Sequence, residues 1–177
     1  MTDRRIEILA QNFRGAIEAA KHDHAFDTHS CFTNFPTGCC GDTSYLLAEY
    51  LLQEGIETIW VSLQRNDWSH ACLVLKDRRV KKPPKKVLPA EYMNLTSLYR
   101  NQDSEEDTED IHYGERDLRN GLIIDITSDQ FDDYDNSVYV GQMDEFHQQF
   151  SLIQAVDYDG LNDRLEHLYR IIELYLS

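Results

Sequence analysis

Apolar residues at spacings of three and four open the chain. Ile6, Leu9, Phe13, Ile17 and Ala20 fall on one stripe of a helix expected over residues 4 to 20, an amphipathic element suited to covering a core face. A second helical pattern runs from about Gly41 to Glu54. Ser44, Leu47 and Leu51 lie on its buried side, and its apolar character all round predicts burial on more than one face. Gly55 supplies the stop. The period then changes to two. Residues 57 to 63 read as a strand, 64 to 67 as a turn, and Trp68 to Leu75 as a second strand, so the pair predicts an antiparallel hairpin. On the second strand His70, Cys72 and Val74 share one face, and Ala71, Leu73 and Leu75 share the other. Residues 121 to 127 and 138 to 141 predict further strands, and Leu161, Leu165, Leu168, Ile172 and Leu176 predict a closing helix.

Between Lys76 and Asn120 the pattern breaks. A basic block from Lys76 to Lys86 surrounds Pro83 and Pro84, an acidic block spans Asp103 to Asp110, and Tyr92, Leu95, Leu98 and Tyr99 between them fit a short helix. A lysine-rich, proline-containing run is expected to be a solvated loop. We read residues 76–120 as a charged insertion into one domain spanning 1–177, and as a place where substrate selectivity can reside.

Composition narrows the class. At 177 residues with 41% hydrophobic content the chain is expected to fold as a single globular domain. The formal net charge of −15 argues against nucleic acid or an anionic membrane as partner. No apolar run is long enough to span a membrane, and the first residues lead into no signal-peptide core, so the expected location is cytoplasmic. Four cysteines, Cys31, Cys39, Cys40 and Cys72, need not pair there.

Chemistry concentrates where the second helix begins. Phe35-Pro36-Thr37-Gly38 ends an extended loop, and Cys39-Cys40 follows at the helix start. Backbone N–H groups without intrahelical partners, together with the positive end of the helix dipole, favour a thiolate there. Such a nucleophile needs a base and a group that fixes the base. Ser69-His70-Ala71 supplies a histidine within a strand. Asp125 supplies a carboxylate in the otherwise apolar Gly121 to Thr127, where it needs a partner to offset several kcal/mol of burial cost. The expected catalytic set is Cys40, His70 and Asp125, with Cys39 the rival nucleophile, because helical phase alone does not choose between adjacent residues. Asn34, six residues before Cys40, is the candidate oxyanion donor beside the Cys40 N–H, or an asparagine making ordinary turn hydrogen bonds. His22, His24, His29 and Cys31 precede them in a polar loop whose spacings match no paired zinc-ligand pattern, so no metal is expected.

The order of a cysteine at a helix start, a histidine in a strand and an aspartate in a later strand resembles the transglutaminase-like branch of the papain-like superfamily. Cys40 with Asp42 two places on and Ser44 four places on is similar to that family's cysteine motif, which favours Cys40 over Cys39. Ser69-His70-Ala71 and residues 122 to 127 resemble its histidine and aspartate motifs. The resemblance covers roughly residues 30 to 75 and 120 to 131. It implies an α+β fold, with the catalytic helix packed on an antiparallel sheet and flanking helices, and a chemistry needing no metal or organic cofactor. Asn34 then stands where papain-like enzymes carry an oxyanion glutamine. Cys72 departs from the family, which often has an aromatic residue two places after the histidine. The expected activity is thiol-dependent hydrolysis or acyl transfer at an amide or thioester of a peptide or protein. The alternative is an inactive protease-like module that binds a protein partner through residues 76–120.

Overall fold

A computed structural model of the protein describes residues 2–28, 30–76, 118 and 120–176. Most of the charged 76–120 segment, including the short helix expected around Tyr92 to Tyr99, lies outside the described residues, as does His29. Helix α1 spans Thr2–His22, α2 Cys40–Gln53 and α3 Asp163–Glu173. The strands are β1 Thr58–Arg65, β2 Trp68–Leu75, β3 Ile123–Asp125, β4 Tyr139–Gly141 and β5 Ser151–Asp157. They form one antiparallel sheet in the order β4-β3-β2-β1-β5. The fold class is α+β. No described helix is long and apolar enough to cross a membrane.

Each boundary has a local cause. Helix α2 stops at Gly55, whose φ of +76° is left-handed backbone that glycine takes without penalty. The Ile56 N–H then reaches the Leu51 carbonyl at 2.8 Å and the Gly55 N–H reaches Leu52 at 2.9 Å, closing the last turn. Asn162 caps α3 by accepting the Leu165 N–H at 3.0 Å. The β1–β2 hairpin turns through Asn66 at a φ of +55°, and its register sets Leu63 opposite His70 and Trp60 opposite Leu73.

The sheet separates two apolar cores. On one face Leu73 and Ile124 meet the buried stripes of the helices, including Ile6, Phe13 and Ile17 of α1, Leu47 and Leu51 of α2, and Leu168 and Ile172 of α3. Helix α2 is covered by α1, α3 and the sheet together, as its all-round apolar character predicts. The opposite face carries Ile59, Val61, Leu63, Cys72 and Val74, packed by Phe131, Phe146 and Phe150 from the connections after β3 and β4. The alternation expected along β2 therefore holds, and Cys72 is a small, fully covered side chain of this second core. Strand β5 has no counterpart in the sequence pattern. It is an edge strand on which apolar residues fall at 152, 153, 155 and 156, so neither face alternates cleanly.

One buried cation ties the helical layer to the segment after β3. Arg14 of α1 is 6% exposed. Its guanidinium donates to both Asp129 carboxylate oxygens at 2.7 Å, to the Ile126 carbonyl at 2.7 Å and to the Ser137 carbonyl at 2.9 Å. Its Nε donates to Glu18 at 2.8 Å. Removing one partner of a buried pair strands the rest of the network. Arg14→Ala is therefore expected to lower unfolding free energy by about 3–5 kcal/mol. Arg5→Ala, which breaks an exposed pair with Glu54, is expected to cost about 1 kcal/mol or less. Urea unfolding of the two variants checks the contrast.

Candidate active site

The site forms where β3 ends early. Strand β3 pairs with β2 at Leu73 and Val74, so among the described residues the edge of β2 from Ser69 to Ala71 has no strand neighbour on that side. The start of α2 takes that place. Residues four apart on a helix lie on one face, and Cys40 and Ser44 both reach Ala71. The Ser44 hydroxyl donates to the Ala71 carbonyl at 3.1 Å, and the Ala71 backbone makes a hydrogen bond to the Cys40 sulfur. A small hydroxyl at position 44 thus registers the helix against the strand and sets the thiol beside His70.

Cys40 is the first residue of α2 and is half-buried. Its sulfur hydrogen-bonds to the His70 imidazole. The His70 Nε2 lies 2.5 Å from Asp125 Oδ2, with both side chains fully buried, so Nδ1 is the nitrogen shared between the thiol and the Gln130 amide. Asp125 is the last residue of β3. Its second oxygen accepts the Thr127 N–H at 2.9 Å and the Thr127 hydroxyl at 3.3 Å. The structure thus brings together Cys40, His70 and Asp125 from α2, β2 and β3.

Electrostatics follow from that contact. Burial alone would push the His70 pKa down, but the Asp125 carboxylate, and then Cys40, raise it to about 10. Burial alone would push the Cys40 thiol up. The hydrogen bond and charge of His70, with bonds from Ala71 and Gln130, overcome this and lower it. For Asp125 burial raises the pKa, and the charge of His70 with hydrogen bonds from His147 and His70 holds it well below the ordinary carboxylate range. Phe131 and Phe150, with ring centroids 5.2 and 5.7 Å from His70, keep the imidazole dry.

Cys39 points elsewhere. It is 2% exposed and its thiol donates to the Pro36 carbonyl at 3.2 Å. Its hydrogen bond with Cys31, and then burial, push its pKa up. Asp42, whose charge would oppose a thiolate in the same helical turn, is held by the Arg164 guanidinium at 2.7 and 2.8 Å. Asn34 is exposed at the end of the short turn Cys31–Asn34, where its carbonyl accepts the Thr37 N–H at 2.9 Å. The side-chain amide found at the Cys40 sulfur is that of Gln130.

Two residues that the sequence did not single out do enter the site. Gln130, in the turn Ser128–Gln130 after β3, has its Nε2 3.1 Å from His70 Nδ1. Its Oε1 accepts the Gly38 N–H at 3.3 Å, which turns the amide N–H groups toward the thiol and imidazole; Nδ1 accepts one of them only while it carries no proton, and the imidazolium releases it. The neighbouring Asp129 is clamped by Arg14, so the buried arginine of α1 indirectly fixes this amide. His147 approaches Asp125 from the far side, Nε2 to Oδ2 at 3.2 Å. Only a carboxylate five residues before Gln130, and the aromatic flanks Phe146 and Phe150 around His147, mark them in the sequence. Among the described residues no three histidine, cysteine or acidic side chains are grouped to hold a metal ion.

The shifts set a pH dependence. A histidine raised on folding contributes stability that is full below its unfolded pKa of about 6.5 and is lost as pH rises through the folded value. In the parent protein the lowered Cys40 thiol releases a proton on folding between its folded and unfolded values, where it opposes the proton that His70 takes up. Cys40→Ser removes this opposition. Its stability is expected to fall as pH rises above about 6.5, through a His70 value still raised by Asp125 but lower than in the parent because the Cys40 contribution is gone, and adding Asp125→Asn is expected to abolish the fall. Urea unfolding across that pH range measures both. No protein-family model, curated protein or solved structure matches the chain.

Proposed function

We propose that the protein is a cysteine-dependent hydrolase or acyltransferase acting on an amide or thioester of a peptide or protein, with a transglutaminase-like and papain-like arrangement of its catalytic set. The observation that carries this reading is the half-buried Cys40 thiol at a helix N-terminus. It hydrogen-bonds to His70, whose other ring nitrogen meets the buried Asp125 carboxylate at 2.5 Å. Supporting it, the nucleophile stands on a helix packed against an antiparallel sheet, with base and carboxylate on adjacent strands.

The roles follow from the contacts. The Cys40 thiolate attacks the carbonyl carbon, forming a C–S bond as the carbonyl electron pair moves to oxygen. Two donors serve that oxyanion: the Cys40 backbone N–H, free of an intrahelical partner at the first helical position, and the Gln130 amide. The oxyanion then collapses, His70 gives its Nδ1 proton to the departing amine or thiol, and the acyl group remains as a thioester. An acceptor, water for hydrolysis or an amine for transfer, loses its proton to His70 as it attacks and returns the thiolate. Asp125 keeps the Nε2 proton in place throughout. Asn34, the oxyanion donor expected from the sequence, takes no role in this scheme because its side chain is exposed. The net charge of −15 disfavours nucleic acid as substrate.

Iodoacetamide alkylation of each cysteine across pH 4 to 9, mapped by peptide mass spectrometry, tests the reading. Cys40 is expected to label fastest, with labelling that persists below pH 7 and disappears in His70→Ala. Slow, uniform labelling with an ordinary thiol midpoint, unchanged by His70→Ala, would sink it. Gln130→Ala separates the next step. It is expected to slow acyl transfer from a chromogenic thioester by about 10²–10³-fold, while Cys40 alkylation, which forms no oxyanion, changes far less.

A further inference from the structure

His147 is an expensive side chain where it stands. It is fully buried, stacked on Tyr139 with centroids 5.0 Å apart and edge-on to Tyr134 and Phe146. That is an aromatic cage in which a phenylalanine would bury more apolar surface without stranding a polar group. Both of its ring nitrogens are nevertheless used. Nδ1 lies 2.6 Å from Asp144 Oδ1 and Nε2 3.2 Å from Asp125 Oδ2. Asp144 is itself fixed. Its Oδ1 also accepts the His147 backbone N–H at 2.9 Å, and its Oδ2 accepts the Tyr134 hydroxyl at 2.7 Å. Ionised carboxylates only accept hydrogen bonds, so each ring nitrogen faces an acceptor oxygen.

Two imidazoles thus converge on one carboxylate oxygen. Asp125 Oδ1 is occupied by Thr127, and Oδ2 is held between His70 and His147. We propose that His147 is a positioning residue which, anchored by Asp144, holds the Asp125 carboxylate against His70. The inference rests on reading Cys40, His70 and Asp125 as the catalytic set, and it extends that set to a continuous line from the thiol to the partly exposed Asp144. The groups facing the line are Cys72 beside Asp125, and Tyr134 and Tyr139 around His147.

The sign of one measurement distinguishes positioning from a simple charge effect. If His147 mattered only as a positive neighbour, removing it would relieve repulsion of the His70 proton and make Cys40 reactive at lower pH. If it positions Asp125, its loss lets the carboxylate turn from His70 and moves the Cys40 midpoint up, toward an ordinary thiol. His147→Phe is expected to raise the midpoint of Cys40 alkylation by about one pH unit, roughly tenfold in rate below the midpoint. His147→Gln, which keeps an N–H for Asp125, is expected to stay within about threefold of the parent. Asp144→Asn, at a partly exposed site, is expected to move the midpoint in the same direction by less, and covers the case in which His147→Phe does not fold. In proton NMR of the parent the His70–Asp125 hydrogen should resonate far downfield and shift in His147→Phe or Asp144→Asn. A folded His147→Phe or Asp144→Asn with an unchanged or lowered midpoint overturns the proposal. If instead Cys40 in the parent is an ordinary thiol, the catalytic reading fails, and the downfield resonance alone decides whether His147 holds Asp125.

Discussion

A fully buried carboxylate governs this structure. Asp125 has lost its water, and an isolated charge in that position would cost several kcal/mol. The fold meets the cost with four donors from three places: the Thr127 backbone and hydroxyl, His70 and His147. Those donors constrain everything nearby. Strand β3 must end at Asp125 so that the chain can turn back and offer Thr127. Strand β2 must present His70 on the face away from the helices. The β4 connection must return far enough to deliver His147. Each requirement fixes a different segment, and a single oxygen-rich point holds them in register.

The short β3 has a second consequence. Because it leaves the start of β2 uncovered, the backbone of Ala71 is available to α2, and Cys40 and Ser44 take it. A longer β3 would pair with Ala71 and displace the helix. The geometry that satisfies Asp125 therefore also admits the Cys40 thiol. Arg14 extends the same logic outward, since its clamp on Asp129 holds the turn that carries Gln130 over the imidazole. A substitution on the far helix can in this way reach Cys40 and His70 without touching them.

What the sequence revealed follows from which features are local. Cys40 was legible because a Pro–Gly break followed by helical periodicity marks a helix start. His70 was legible because period-two alternation places it on a strand face, and Asp125 because a lone carboxylate in an apolar strand demands a partner. Gln130 and His147 carry no such mark, since their roles come from register across the sheet rather than from their neighbours in the chain. Asn34 illustrates the converse. Proximity in sequence to Cys40 made it a candidate, yet the turn Cys31–Asn34 directs it to solvent while a distant amide occupies the imidazole. The edge strand β5 escaped because a register shift at Ile153 breaks its period of two, so that Leu152 and Ala155 reach the same core three residues apart. The charge of Asp42, two residues from Cys40, is met by Arg164 from α3, a partner that no local pattern announces.

The adjacent thiols show how little separates an inert cysteine from an activated one. Cys39 and Cys40 share the same helix end and the same dipole, so neither effect can distinguish them. The difference is angular. Cys39 still has non-helical backbone, with φ −121° and ψ 15°, and its side chain turns to the Pro36 carbonyl and Cys31, where no cation stabilises an anion. Cys40 is the first helical residue, about 100° further round the axis, and meets an imidazole already charged by Asp125. Thiol activation at this helix start therefore comes chiefly from the buried carboxylate acting through His70, with the helix terminus a smaller contribution common to both. Whatever disturbs Asp125, from either of its histidines, should be felt at Cys40 before it is felt anywhere else in the molecule.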